Sequence, residues 1–207
     1  MAVSIQNLRR YGKPAVFALL ALPALWLGRE WYYAYQGLES GLGWNPVEAF
    51  HQITGDWAIR ILLLSLAISP LSKVMKSPKP ILFRRMIGLF AFFYVCLHLL
   101  GYVWLDKAFV WPDIWQDILK RKYITVGAVA LILLVPLAVT STQGWIKRLG
   151  ARNWQKLHKS VYVIGILAVA HFIMMRKGFQ LEPLVYAGIL GLLFMLRSKA
   201  LMKKLRP

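Results

Sequence analysis

Hydrophobic residues in this chain gather into long unbroken runs joined by short polar links, the pattern of helices that cross a bilayer rather than of a soluble core. Bounded by charges, prolines and glycines, the runs predict six spanning helices at 14–35, 50–71, 86–105, 123–142, 157–175 and 181–197. The fifth reaches spanning length only if Leu157 to Ser160 continue the helix that carries the apolar run from Val161 onward. The expected fold class is all-α, a polytopic membrane bundle forming a single domain over 1–207 with both termini cytoplasmic. A bundle follows because polar groups buried in lipid must be satisfied against neighbouring helices.

The first run needs separating from a secretory signal, because Arg9, Arg10 and Lys13 precede it. No small-residue cleavage site follows, and the run passes through Arg29 and Glu30 into Trp31, Tyr32, Tyr33 and Tyr35. It reads as a retained first span ending in an interfacial aromatic belt.

Charge then orients the spans. Arg9, Arg10 and Lys13 lead the first helix, and Lys73, Lys76, Lys79, Arg84 and Arg85 join the second to the third. Lys147, Arg148, Arg152, Lys156 and Lys159 join the fourth to the fifth, and Arg197, Lys199, Lys203, Lys204 and Arg206 close the chain. No acid lies among these segments; Glu30, Glu39, Glu48, Asp56, Asp106, Asp113, Asp117 and Glu182, all eight of the acids, fall toward the other side. By the positive-inside rule the basic links face the cytoplasm.

Composition agrees: 58% of residues are hydrophobic and 16% charged. The net charge of +18 is accounted for by topology and anionic headgroups, which removes the nucleic-acid reading such a charge invites. The lone Cys96 sits inside the third run, where a small buried filler is the expected role. There is no phosphate-cradling glycine motif, cysteine pair, serine nucleophile motif or internal repeat.

Chemistry must come from groups inside the bundle, and the histidines are the candidates, since an ionisable residue within a span is costly and by default functional. His98 lies thirteen residues past Arg85 and His171 twelve past Lys159. The third and fifth helices run in the same direction, so the two imidazoles are expected at similar depth, able to face each other. Two neutral imidazoles at one level suit axial ligation of haem iron in a bundle interior. The competing account makes both of them interhelical hydrogen-bonding residues.

His158 lies near the basic edge, and its counterpart positions on the third helix are Arg84 and Arg85. A guanidinium suits a haem propionate better than iron, so a second haem with unusual ligation and a headgroup-level histidine are both open readings. Thirteen residues at 100° per residue put His158 and His171 on different faces of an ideal helix. His51 opens the second helix and reads as a headgroup-exposed residue. Arg60 either meets a haem propionate or pairs with Asp56 at i, i−4. Asp106, Asp113, Asp117, Trp111 and Trp115 form an acidic, aromatic outer loop, a docking surface or an interfacial segment.

The HQITG start of the second helix, the RRMIGL start of the third with His98, the TSTQ at Thr140 to Gln143 and the WQKLH…H spacing together resemble the MsrQ (YedZ) family. These are haem-binding membrane subunits of the MsrPQ methionine sulfoxide reductase systems, within the ferric reductase-like transmembrane superfamily. The likeness runs from about Pro14 to Leu196. It implies b-type haem, one or two, on His98, His158 and His171. It implies electron delivery to MsrP, a periplasmic molybdenum enzyme that reduces methionine sulfoxide in oxidised proteins. The quinone pool or a cytosolic flavin reductase is the implied donor, and FMN an associated cofactor. Larger ferric reductases and NADPH oxidases carry two histidines on helix three, and arginine stands at the first of those positions here. Two rival readings stay open: a ferric or quinone reductase cytochrome, and a cofactor-free transporter or assembly scaffold.

Overall fold

A computed structural model describes residues 4–176 and 180–197. Among these residues all regular structure is helical, as the apolar runs require. Five helices are long and apolar enough to cross a membrane: α1 (Ile5–Tyr35), α2 (Pro46–Val74), α3 (Ile81–Asp106), α5 (Lys122–Val139) and the 25-residue stretch Ala151–Met175. The last divides into α7 (Ala151–His158) and α8 (Val161–Met175) at a tight turn over Lys159 and Ser160. The continuation expected through Leu157 to Ser160 is therefore present, with a break in its regularity. The sixth predicted run forms α9 (Leu181–Met195), apolar but only 15 residues, about 22 Å at the helical rise. Two short amphipathic helices, α4 (Trp111–Lys120) and α6 (Gln143–Leu149), complete the order. On α4, Trp111, Trp115 and Leu119 form an exposed stripe at four-residue spacing, while Ile114 and Asp117 are buried.

Packing divides the chain into two compact units, Met1–Ile114 and Trp115–Pro207. In the first, α2 and α3 form an antiparallel hairpin with glycines at close contacts. A Cβ added to Gly55 would lie 3.3 Å from His98, one added to Gly88 would lie 3.4 Å from Ser65, and one added to Gly101 would lie 2.8 Å from Phe50. Because lipid tails are as apolar as the side chains, no hydrophobic force drives these helices together, and small residues that let backbones approach gain packing energy. Ala58, Ile61, Leu62, Leu66, Ile87, Ala91 and Tyr94 fill the buried core of this unit.

Helix α1 joins the hairpin through a hydroxyl. Pro23 removes one rung of the helical ladder, and beside it the buried Tyr94 hydroxyl donates to Leu20 O (2.8 Å) and accepts from Ala24 N (3.1 Å). The tyrosine thus satisfies backbone groups at a proline-disturbed turn that lipid cannot satisfy. At the far end of α1 the buried Glu30 carboxylate accepts from Gly41 N at 2.7 Å and from the Arg29 guanidinium, tying down the link to α2. Asn45 then caps α2 by accepting from Glu48 N.

In the second unit α5 and α8 form another antiparallel pair, and α9 packs on α8 through Phe172 against Tyr186 and Tyr162 against Phe194. Arg197 donates to the Tyr162 hydroxyl, and Arg176 pairs with Glu182 at 3.7 Å. Lys199, Lys203, Lys204 and Arg206, which contribute to the predicted basic C-terminal end, lie outside the described residues.

Candidate functional site

Each unit seats one intramembrane histidine against a neighbouring helix, and the two seats are built alike. His98 on α3 turns its Nδ1 toward the main-chain carbonyl of His51 on α2 (3.2 Å) and the hydroxyl of Thr54 (3.3 Å). His171 on α8 turns its Nδ1 to the carbonyl of Tyr123 on α5 at 2.7 Å. Four residues beyond each carbonyl stands a glycine, Gly55 and Gly127, and the imidazole lies over it. A Cβ on Gly55 would come within 3.3 Å of the His98 ring, and one on Gly127 within 2.9 Å of the His171 ring. Any larger residue at Gly127 would collide with the imidazole.

These partners fix the tautomers. A carbonyl only accepts, so Nδ1 of His171 carries the proton. The Thr54 hydroxyl donates its own proton to Phe50 O at 2.7 Å, so it too acts as an acceptor toward His98, whose Nδ1 is likewise the donor. In both residues Nε2 is then the lone-pair nitrogen. A metal-ligating histidine usually donates its other ring N–H to a carbonyl or carboxylate in this way, which sets the ring and raises its basicity.

His158 is built the opposite way. Its Nε2 lies 3.0 Å from the Thr140 hydroxyl, which gives its proton to Pro136 O at 2.6 Å. Nε2 of His158 is therefore the donor and Nδ1 holds the lone pair. The ring stacks on Trp154 at 3.9 Å between centroids, and the Trp154 indole donates to Thr140 O at 2.9 Å. Thr140, read in the sequence only as part of a motif, is the residue on which both aromatic rings are fastened.

On an unbroken helix, His158 and His171 would point roughly 140° apart. Instead both contact α5, His158 at Thr140 and His171 at Tyr123 and Gly127. The turn at Lys159 and Ser160 lies between the two histidines, so the ideal-helix spacing does not by itself set their directions.

His51 is more than the headgroup residue expected of it. Besides lending its carbonyl to His98, its ring meets the His98 ring edge-on at 5.5 Å. Its Nε2 lies 2.8 Å from an Asp106 carboxylate oxygen, close enough for charge pairing though off the direction of a hydrogen bond. Arg60 forms the ion pair with Asp56 at 3.4 Å and stands over the Trp57 ring. Arg84 and Arg85 occupy the start of α3, where Arg85 lines a crevice against α1. Cys96 is half-buried.

No three His, Cys, Asp or Glu side chains converge on a metal-ion position among the described residues. Each imidazole, taken within its own unit, offers the neutral nitrogen donor that haem iron takes from histidine, so the residues fit such a group and His98 and His171 are the ones that would hold it.

The family profile described as "Ferric reductase like transmembrane component" matches residues 17–169. A Rhodospirillum rubrum protein named "Protein-methionine-sulfoxide reductase heme-binding subunit MsrQ" is 50% identical over 188 residues, covering 91% of this chain and 88% of its own. This chain belongs to the MsrQ family of ferric reductase-like transmembrane proteins. Relatives of the same name from Xanthomonas campestris pv. campestris and Caulobacter vibrioides are 49% and 43% identical, covering 87% and 84% of this chain and 83% and 80% of theirs. The resemblance to the MsrQ family thus holds over most of the chain, and the chain is a multi-pass membrane protein. In this MsrQ-family chain HQITG supplies both the carbonyl and the glycine of the His98 seat, and the Thr140 that opens TSTQ fastens His158.

Proposed function

We propose that the chain is the b-type haem electron-transfer subunit of a methionine sulfoxide reductase system in the bacterial inner membrane. Electrons come from the quinone pool or a cytosolic flavin reductase and go to a periplasmic molybdenum enzyme of the MsrP type. The observation that carries this reading is the pair of Nδ1–H to carbonyl seats, an orientation in which Nε2 of His98 and of His171 would be the ligating atom. The haem-binding role named for the relatives supports it. Haem held by these histidines would supply reversible one-electron carriage, the chemistry an electron-transfer subunit needs.

The protein's own part is to hold two rings in fixed tautomer and orientation. His98 lies toward the end of its hairpin that carries Asp106, and His171 toward the end of its pair that carries Asp117. With the basic links cytoplasmic, both ends are periplasmic, where the partner would dock. Arg84 is assigned to a haem propionate, and His158 to a second ligand position of different character.

The test is the absorption spectrum of detergent-purified protein, oxidised and dithionite-reduced, with haem per chain measured as the pyridine haemochromogen. Sharp reduced α and β bands are expected from the wild type and their loss from His98→Ala and His171→Ala. Normal haem content in both variants would remove the assignment. Sulfoxide reduction that proceeds without the molybdenum partner, or ferric reduction in its place, would favour the reductase-cytochrome reading.

A further inference from the structure

Between α1 and α3 the first unit holds a crevice of about 500 Å³ that contains none of the four histidines. Its walls are apolar, from Phe17, Leu25, Leu89 and Phe93 among others, and its charged lining residues are Lys13 on α1 and Arg85 on α3. No carboxylate lines it.

The shape follows from the Tyr94 clamp. Tyr94 fastens α1 to α3 at Leu20 and Ala24, beside Pro23, and Phe17 packs edge-on against Phe90 at 5.0 Å. Along the open side Phe17, Leu25 and Phe93 remain exposed. From Lys13 to Leu25 the α1 wall runs about 18 Å at the helical rise. The hydrocarbon of one leaflet is about 15 Å deep. Cations at one end and a leaflet-deep apolar wall beneath them are the complement of a lipid with an anionic head.

We propose that this crevice is a binding site for one anionic phospholipid, its phosphate between Lys13 and Arg85 and an acyl chain along Phe17, Leu89 and Phe93. Charge complementarity selects this occupant. A quinone has an apolar tail but a neutral head, and would leave both cations without a counter-charge. A haem would find no imidazole there. Arg85 then belongs to the lipid site, which separates its role from that of Arg84.

The experiment is native mass spectrometry of the full-length protein, released from micelles containing phosphatidylglycerol and phosphatidylcholine of identical acyl chains. Two cations near a headgroup predict a preference for phosphatidylglycerol of about tenfold or more, with one molecule retained per chain. Lys13→Gln with Arg85→Gln should bring the preference close to unity. Leu89→Trp fills the crevice with both cations kept, and should lower retention of either lipid. Equal retention of the two lipids by the wild type overturns the proposal without reference to any variant. So does a preference that survives the double substitution, or displacement of phosphatidylglycerol by added ubiquinone.

Discussion

The carbonyl of Tyr123 accepts the Nδ1 proton of His171 at 2.7 Å, and the glycine one helical turn further on, Gly127, leaves the space in which that ring lies. The same carbonyl-and-glycine pair, His51 and Gly55, holds His98. A methyl group at Gly127 would sit 2.9 Å from the ring and one at Gly55 3.3 Å, so the two seats should tolerate alanine unequally. Gly127→Ala is expected to displace His171 and to cost about 1–3 kcal/mol by overpacking. Gly55→Ala should be milder. Low-spin haem signals in electron paramagnetic resonance, with haem per chain, check the order; a larger change in the Gly55 variant would contradict it.

His51→Ala should keep normal haem content. The group it gives to His98 is its carbonyl, which any residue supplies, while the lost ring contact and the pairing with Asp106 are peripheral to Nδ1. Haem loss as complete as in His98→Ala would instead make His51 a ligand.

Thr140→Val removes the acceptor that holds the proton of His158 on Nε2. Nitrogen-15 spectra of histidine-labelled protein should show His158 shifting from the Nε2–H form toward a mixture, with His98 and His171 unchanged. An unaltered His158 signal would mean that the hydroxyl does not set its tautomer.

Tyr94→Phe leaves Leu20 O and Ala24 N at the proline-disturbed turn without the hydroxyl between them. A loss of about 1–2 kcal/mol is expected, the size of a strong hydrogen bond between membrane helices. Thermal unfolding in detergent measures it. Because the clamp lies on the α1 side of α3, the haem spectrum of the folded fraction should not move.

Some of this was legible from the residues alone. HQITG contains both parts of one seat, but nothing in those letters says that a carbonyl rather than the imidazole of His51 is the working group. Gly127 sits in a run of apolar residues where glycine is unremarked until the helix opposite is known. The sequence carries no internal repeat because the likeness between the seats lies in main-chain geometry and an absent side chain, neither of which leaves a recurring string of residues. The break at Lys159 and Ser160 was likewise hidden, since those residues are compatible with a continuing helix.

By itself the sequence determined the membrane class, the places of the long helices, the gathering of cations and acids in opposite links, and the three histidines to be considered. These depend on how much apolar length a segment carries and where charge interrupts it, properties local to the chain. The tertiary structure decided which nitrogen of His98, His158 and His171 holds the proton, that both His158 and His171 meet the α5 segment, and that Tyr94 bridges Leu20 and Ala24 beside Pro23. Each of those rests on which acceptor from a distant segment is brought within about 3 Å, and that is set only when the helices pack.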